Sequence, residues 1–455
     1  MTRLLIRDLA QVVTPAAGAA PLRGADLRAV RVTEDAFVLC DGGRIEAVGR
    51  MSELSAGQMS ELSSGQMSEL SSGRMSELSA GRTRELSAGR MRELSAERMS
   101  ELSALGADVE EIDGRGLAAV PGLVDCHTHA CFAGNRVNEF SLRAGGAGYE
   151  ELHAAGGGIL STVRATRAAG LGALTDATSR HRGWMRAHGT TTFEAKSGYG
   201  LDHDTELAQL AAVRAAGGVP TWLGAHTVPP EFPDADTYLD FLLADVLPEA
   251  AQIAEAADVF LERGAFDAGQ ARRYLTACRD AGLVLRLHGD QFTESGAIPL
   301  AIELGARSVD HLEATGPDGV RALAGSDVVG VLLPTSALFL GRPLPPGRAL
   351  VDAGAAVALA TDFNPGSAFS ESLPLACSLA CTQMKLAPEE ALSACTVNAA
   401  HVLGRAGRIG RVEPGYEADI VLLDAPDWRH LAYHLAGDVV HTVIEGGSVT
   451  WARGA

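Results

Sequence analysis

Five histidines and one aspartate in this chain have the spacing of a metal site. His127 and His129 stand two apart at the end of a short apolar run that contains Val120, Leu123 and Val124 and is interrupted by Pro121-Gly122. In an extended strand, residues two apart share a face. The pair therefore aims two imidazoles at one point, which a divalent cation can occupy. Later strands bring matching groups to their C-terminal ends: His226 on the third, His288 on the fifth, His311 on the sixth and Asp362 on the eighth. Any one of these could be an ordinary polar residue. Six converging on one rim point to a metal site.

His127, His129, His288 and Asp362 are the expected ligands. Three imidazoles and a carboxylate suit one divalent metal, zinc or ferrous iron, with a position left open for water. Such a cation lowers the pKa of bound water to about 7, so hydroxide is available near neutral pH. Asp362, touching both metal and water, is expected to accept the nucleophile's proton and deliver it to a leaving nitrogen. His311 is expected to hydrogen-bond the attacked oxygen or orient the water. Asp310 and Glu313 read as supporting groups, and Cys126 as a core residue on the opposite face of its strand. The remaining histidines (His153, His181, His188, His203, His401, His430, His434 and His441) fall in helices, loops or the C-terminal region and read as mostly solvated.

The elements that must position these groups alternate. Apolar strand patterns occur at 122–127, 191–196, 221–226, 258–262, 284–288, 308–311, 328–334 and 356–362. Alanine-rich helical stretches lie between them, for example at 207–216, 268–281, 297–304 and 319–323. Eight strand–helix alternations in about 240 residues match a (β/α)8 barrel, whose reactive side chains sit at the C-terminal strand ends. Short alternating stretches around Asp41-Gly42-Gly43 and Gly446-Gly447 suggest hairpins at both ends of the chain. The expected fold is thus α/β: a TIM-like barrel over 120–405, with a small β-sandwich-like domain built from 1–50, 106–119 and 406–455. Between the first two of those pieces, an eight-residue unit beginning MSELSAGQ repeats seven times over 51–105. Eight residues overshoot two helical turns of about 3.6 residues each, so no apolar stripe forms. The insertion reads as mobile or loosely helical.

With 46% apolar and 21% charged residues, the 455-residue chain has a globular composition, and no apolar run approaches the roughly 20 residues that span a bilayer. No secretory signal is evident, and seven cysteines without a CxxC pair fit free thiols in a reducing compartment. The chain is expected to be cytoplasmic. A net charge of −19 with only two lysines, Lys196 and Lys385, argues against nucleic-acid or anionic-membrane partners. An anionic small molecule would need a local arginine.

The segments VPGLVDCHTHACFAGNR, GGGILSTVRATR, TTTFEAKSGYGLD, LGAHTVPPEF, LHGDQF, SVDHLE and ATDFNPGS together resemble the amidohydrolase superfamily and, within it, the imidazolonepropionases of histidine degradation. The resemblance covers the first 50 residues and about 108 to 450, leaving only the octads outside. GNRVNEF, KSGYG and DFNPGS are its most specific motifs. It implies hydrolysis of the cyclic amide C–N bond of 4-imidazolone-5-propanoate to N-formimidoyl-L-glutamate. By motif, Arg136 would hold the propanoate carboxylate. Tyr199 and His226 would line the ring pocket, and Asn364, Gly366 and Ser367 would complete it. A homodimer is expected by the same likeness.

Gln291, three residues after His288, stands where some relatives carry glutamate. Glutamine only donates or accepts hydrogen bonds, so proton transfer falls to Asp362 and His311. The same residue disfavours a nucleobase deaminase, which typically uses His-x-x-Glu there. A two-metal site bridged by a carboxylated lysine is disfavoured too, because strand four, DVFLERGAF, contains no lysine and neither lysine of the chain is expected near it. A non-catalytic scaffold should lack a ligand, and none is missing. Gly156-Gly157-Gly158 lacks the GK[ST] of a phosphate loop. It reads as a loop turning over the pocket before a helix that starts near Ser161.

Overall fold

Strands running parallel and covered on both sides are apolar throughout rather than alternating, and the central strands here have that character. The computed structural model describes residues 3–16, 18, 20–54, 109–146 and 158–454. All but the first four residues of the octad insertion lie outside these, and so does the conformation expected for it.

Eight parallel strands form the barrel: β6 (Leu123–Asp125), β7 (Thr190–Lys196), β8 (Val219–Ala225), β9 (Ala256–Leu261), β10 (Val284–Gly289), β11 (Ser308–His311), β12 (Val329–Leu332) and β13 (Val357–Leu359), hydrogen-bonded in sequence order. Every residue of β8 is buried. Helices alternate with the strands, including His203–Ala215, Ala268–Asp280, Ala297–Leu304 and Pro317–Ala324. Several start on an aspartate whose carboxylate accepts a first-turn N–H, as Asp202 does from Thr205 and Asp267 from Gln270.

The ring closes just past its first and last strands. Asp125 accepts the N–H and the hydroxyl of Thr361 at 3.2 and 2.5 Å. The Asp362 N–H then donates to the His127 carbonyl (3.0 Å) and the His129 N–H to the Phe363 carbonyl (2.9 Å). The closing bonds therefore lie among the expected ligands.

The small domain is one eight-stranded sheet drawn from both ends of the chain. It comprises β1 (Arg3–Pro15), β2 (Val30–Asp41), β3 (Arg44–Arg50), β4 (Val109–Asp113), β5 (Ala118–Pro121), β14 (Ile420–Leu423), β15 (Val440–Glu445) and β16 (Ser448–Ala452). β5 pairs parallel with β1 and antiparallel with β14, so it ties the two ends together. Leu4, Ile6, Val38, Cys40, Ile420 and Leu422 pack in its core. Gly122 carries the chain from β5 into β6, where a Cβ would stand 2.3 Å from Thr191 Oγ1, so no larger residue fits. Cys126 packs against Val124, Val329 and Val331, as its strand position implied, and all seven cysteines are free thiols. No helix of the described residues is long and apolar enough to cross a membrane.

Candidate metal centre and substrate pocket

His127, His129, His288 and Asp362 meet at the barrel mouth. His288 Nε2 and His129 Nε2 are 3.3 Å apart, and Asp362 Oδ1 is 3.6 Å from Nε2 of both His127 and His129. Two of the imidazoles are aimed from behind. His127 Nδ1 lies 2.6 Å from Asp310 Oδ2, and His288 Nδ1 lies 2.9 Å from Asp258 Oδ1. A proton on each Nδ1 leaves the Nε2 lone pairs turned to the shared point.

The donor set fits a divalent cation. His127 Nε2 is buried with no hydrogen-bond partner among the described residues, and two imidazole nitrogens face each other at hydrogen-bond distance. Burial holds His127 and His129 well below the ordinary imidazole pKa and brings His288 down to about 4, so all three present neutral donors. Burial also pushes the Asp362 carboxyl up to about 6. A cation on the same ligands would reverse that shift.

His311 lies beside this centre, its ring centroid 5.3 Å from that of His288 and its Nδ1 3.4 Å from Glu313 Oε1. Burial works to lower its pKa, but Glu313, Asp362 and Asp310 outweigh burial and hold it above the ordinary value. Both His311 (φ +88°) and Asp362 (φ +56°) occupy the left-handed region, which is uncommon for side chains of this size and characteristic of strained functional positions.

His129, His288, His311 and Asp362 line a cleft of about 480 Å³ that also includes every residue assigned to the substrate: Arg136, Tyr199, His226, Gln291, Asn364, Gly366 and Ser367. His226 Nδ1 donates to the Gly198 carbonyl at 2.8 Å, leaving Nε2 as an acceptor. Gly366 lies under the Arg136 guanidinium, where a Cβ would be 1.9 Å from Nη1. The Asn364 side chain is spent on its own turn. It donates to the Asp362 carbonyl and to Ser367 Oγ, and accepts from the Gly366 and Ser367 N–H groups at 2.8 Å. Gly158 borders the cleft and the helix begins at Ile159; Gly156 and Gly157 lie outside the described residues.

Two expectations fail. His181 is not solvated: it is 3% exposed, bonded through Nδ1 to the Ala130 carbonyl and stacked on Phe132. His153 lies outside the described residues. Lys196 was not expected near strand four, yet its Nζ lies 2.9 Å from Asp258 Oδ2 on β9 and 2.8 Å from Glu194 Oε1. The side chain reaches two strands across the barrel interior. Desolvation opposes its charge, but Glu194 and Asp258 outweigh that and raise its pKa, so the amine needed for a carboxylated bridge is held as ammonium.

Residues outside the predicted set shape the pocket as well. Glu139 accepts from Arg136 Nε and Nη2 (2.9 and 2.6 Å), Arg143 Nη2 (2.8 Å) and the Gly158 N–H (2.7 Å). Glu206 accepts the N–H groups of Gly198, Gly200 and Leu201, fixing the loop of Tyr199. Glu262 accepts the N–H groups of Phe292 and Thr293, beside Gln291.

The amidohydrolase family profile matches residues 118–449. The imidazolonepropionase of Rubrobacter xylanophilus is 54% identical over 454 residues, covering 98% of each chain. That of Herpetosiphon aurantiacus is 42% identical over 98% of this chain and 96% of its own. Among solved structures, an adenosine deaminase from Xanthomonas campestris with bound zinc superposes with a TM-score of 0.63 at 20% identity, covering 99% of this chain and 93% of that one. Guanine deaminase of E. coli gives 0.63 at 14% identity over the whole of both chains. At such identities the structures show a shared fold only. The curated relatives go further: this chain belongs to the amidohydrolase family and, within it, to the imidazolonepropionases.

Proposed function

We propose that this chain hydrolyses the cyclic amide C–N bond of 4-imidazolone-5-propanoate to N-formimidoyl-L-glutamate, a step in histidine degradation. One observation carries the reading beyond the names of its relatives: a single cleft is lined by His129, His288 and Asp362 of the ligand set together with Arg136. A nucleobase has no carboxylate for that guanidinium, and Gln291 cannot exchange a proton as a deaminase glutamate would.

The proposed cofactor is one divalent cation, zinc or iron, on His127, His129, His288 and Asp362. When bound, it supplies a Lewis acid and lowers the pKa of water. The chain's own groups do the rest. Arg136 pairs with the propanoate, and Tyr199 and His226 flank the ring. His311 donates to the carbonyl oxygen as water adds. Asp362 accepts the water proton and returns it to the ring nitrogen as the C–N bond breaks, so protons balance within the site. Gln291 and Ser367 offer hydrogen bonds to the ring.

The test incubates zinc- or iron-loaded protein with imidazolone propanoate, and separately with aminopurines and cytosine. Ring opening to formimidoylglutamate is expected. Ammonia from a nucleobase with the imidazolone untouched would overturn the proposal.

A further inference from the structure

Behind the four ligands lies a second set of buried charges that the proposed reaction does not use. Glu194, Lys196, Asp258 and Asp310 are fully buried and Arg286 is 2% exposed. Carboxylate oxygens of Asp258 and Asp310 lie within 4.8 Å of each other and of a His127 ring nitrogen; with His127 committed to the first cation, two carboxylates remain to face a further positive charge. Asp310 Oδ1 is buried with no hydrogen-bond partner among the described residues. Asp258 spends Oδ1 on His288, accepting from both its ring Nδ1 and its backbone N–H (2.9 and 3.1 Å), which leaves Oδ2 for a positive charge. That charge is the Lys196 ammonium, 2.9 Å away and also 2.8 Å from Glu194 Oε1. Arg286 Nη1 serves Glu194 from another direction at 3.1 Å.

We propose that the Lys196 ammonium is the built-in second cation of this barrel mouth, filling a position beside His127, Asp258 and Asp310 that would otherwise admit a second divalent ion, and so limiting the centre to one. Buried carboxylates persist only when paired with a positive charge or a metal. A lysine anchored in β7 supplies that charge at fixed stoichiometry, whatever the metal supply. Lys196 is thus a positioning residue. Its effect reaches the centre through Asp258, which steadies His288, and through Glu194, whose Oε2 accepts the Thr128 N–H at 3.1 Å between His127 and His129.

The inference rests on the metal reading above, and metal stoichiometry tests the two separately. Wild-type protein, Lys196→Ala and the double variant Lys196→Ala/Asp258→Asn are stripped by chelator, equilibrated with excess zinc or cobalt, desalted and assayed for metal. One ion per chain is expected for wild type, two for Lys196→Ala, and one again for the double variant, in which the freed carboxylate is gone. Folded Lys196→Ala holding one ion overturns the proposal, as does a second ion that survives in the double variant. Wild type holding none removes the metal reading instead. Loss of the ammonium can also prevent folding, so wild type is titrated with cobalt past one equivalent. An unchanged spectrum of the first ion is expected, and a second, perturbing equivalent overturns the proposal without any variant.

Discussion

His127 and Asp362 meet twice: the Asp362 N–H donates to the His127 carbonyl at 3.0 Å, and Asp362 Oδ1 lies 3.6 Å from His127 Nε2. The first contact closes the barrel, and the second is part of the proposed ligand set. Seam and metal centre are therefore one structure. Asp362 is also held at φ +56°, which costs a non-glycine residue on the order of 1–3 kcal/mol. Metal removal is accordingly expected to destabilise the whole barrel and not merely silence the site. A ligand at 100 times its Kd adds about 2.7 kcal/mol, so chelation should lower Tm by a few degrees and zinc should restore it. Identical melting curves with and without chelator would separate the seam from the metal.

Asp362 and Asp310 should fail differently. Asp310 touches His127 Nδ1 and is assigned no role in the reaction, so Asp310→Asn is expected to weaken metal binding by about 10–100-fold and to recover turnover in excess metal. Asp362→Asn removes the proposed proton carrier as well as a charged ligand. It should lose about 1,000-fold or more in kcat, with no recovery at any metal concentration. Steady-state rates across a zinc series distinguish the two patterns. Near-normal rates in Asp362→Asn would sink the proton-transfer assignment.

The convergence of His127, His129, His288 and Asp362 was legible because a period of two and a parallel barrel leave these side chains few places to point. The barrel strands were legible for a related reason: runs such as Val219–Ala225 are apolar on both faces. What stayed hidden were the carboxylates that hold the site. Glu139, Glu206 and Glu262 act through backbone N–H groups of loops, and an N–H leaves no trace in a side-chain pattern. Glu194, Lys196 and Asp258 did leave one. Charged residues inside apolar strands must be paired, and Glu194 and Lys196 share a face two residues apart. The second partner of Lys196, Asp258, lies two strands away, a separation that strand order alone does not supply. His181 was misread because a histidine on a helix gives no hint of the Phe132 ring above it.

Asp419, remote from the metal centre, gives a pH-dependent prediction. Burial, with Glu417 and Glu445 nearby, raises its carboxyl to about 6, although it accepts the Gly446 N–H at 2.9 Å. A carboxyl with a raised folded pKa binds its proton more tightly in the folded state. Its contribution to stability therefore falls as pH rises from about 4 to about 6 and stays low above that. Asp419→Asn keeps the acceptor and removes the charge. It should leave Tm unchanged near pH 4 and raise it above pH 6, where the gain in stability is on the order of 1 kcal/mol after solvent screening. A Tm difference from wild type that does not vary across pH 4–8 would rule this out.

Arg136 is held on one side by Glu139 and undercut on the other by Gly366, so three substitutions should converge on one phenotype. Arg136→Ala deletes the guanidinium. Glu139→Gln loosens the clamp on Nε and Nη2. Gly366→Ala would place a methyl 1.9 Å from Nη1, so the guanidinium or the turn held by Asn364 must shift. Hydrogen bonds to a charged group contribute about 1.5–3 kcal/mol, so Arg136→Ala should raise KM by about 10–100-fold, and the other two by less. Because the propanoate is remote from the bond being cleaved, kcat should change only a few-fold. The decisive comparison uses an imidazolone lacking the carboxylate arm. Wild type should handle it poorly, and none of the three variants should handle it appreciably worse. A fall in kcat at constant KM, shared by both substrates, would instead place Arg136 in the chemistry and not in carboxylate recognition.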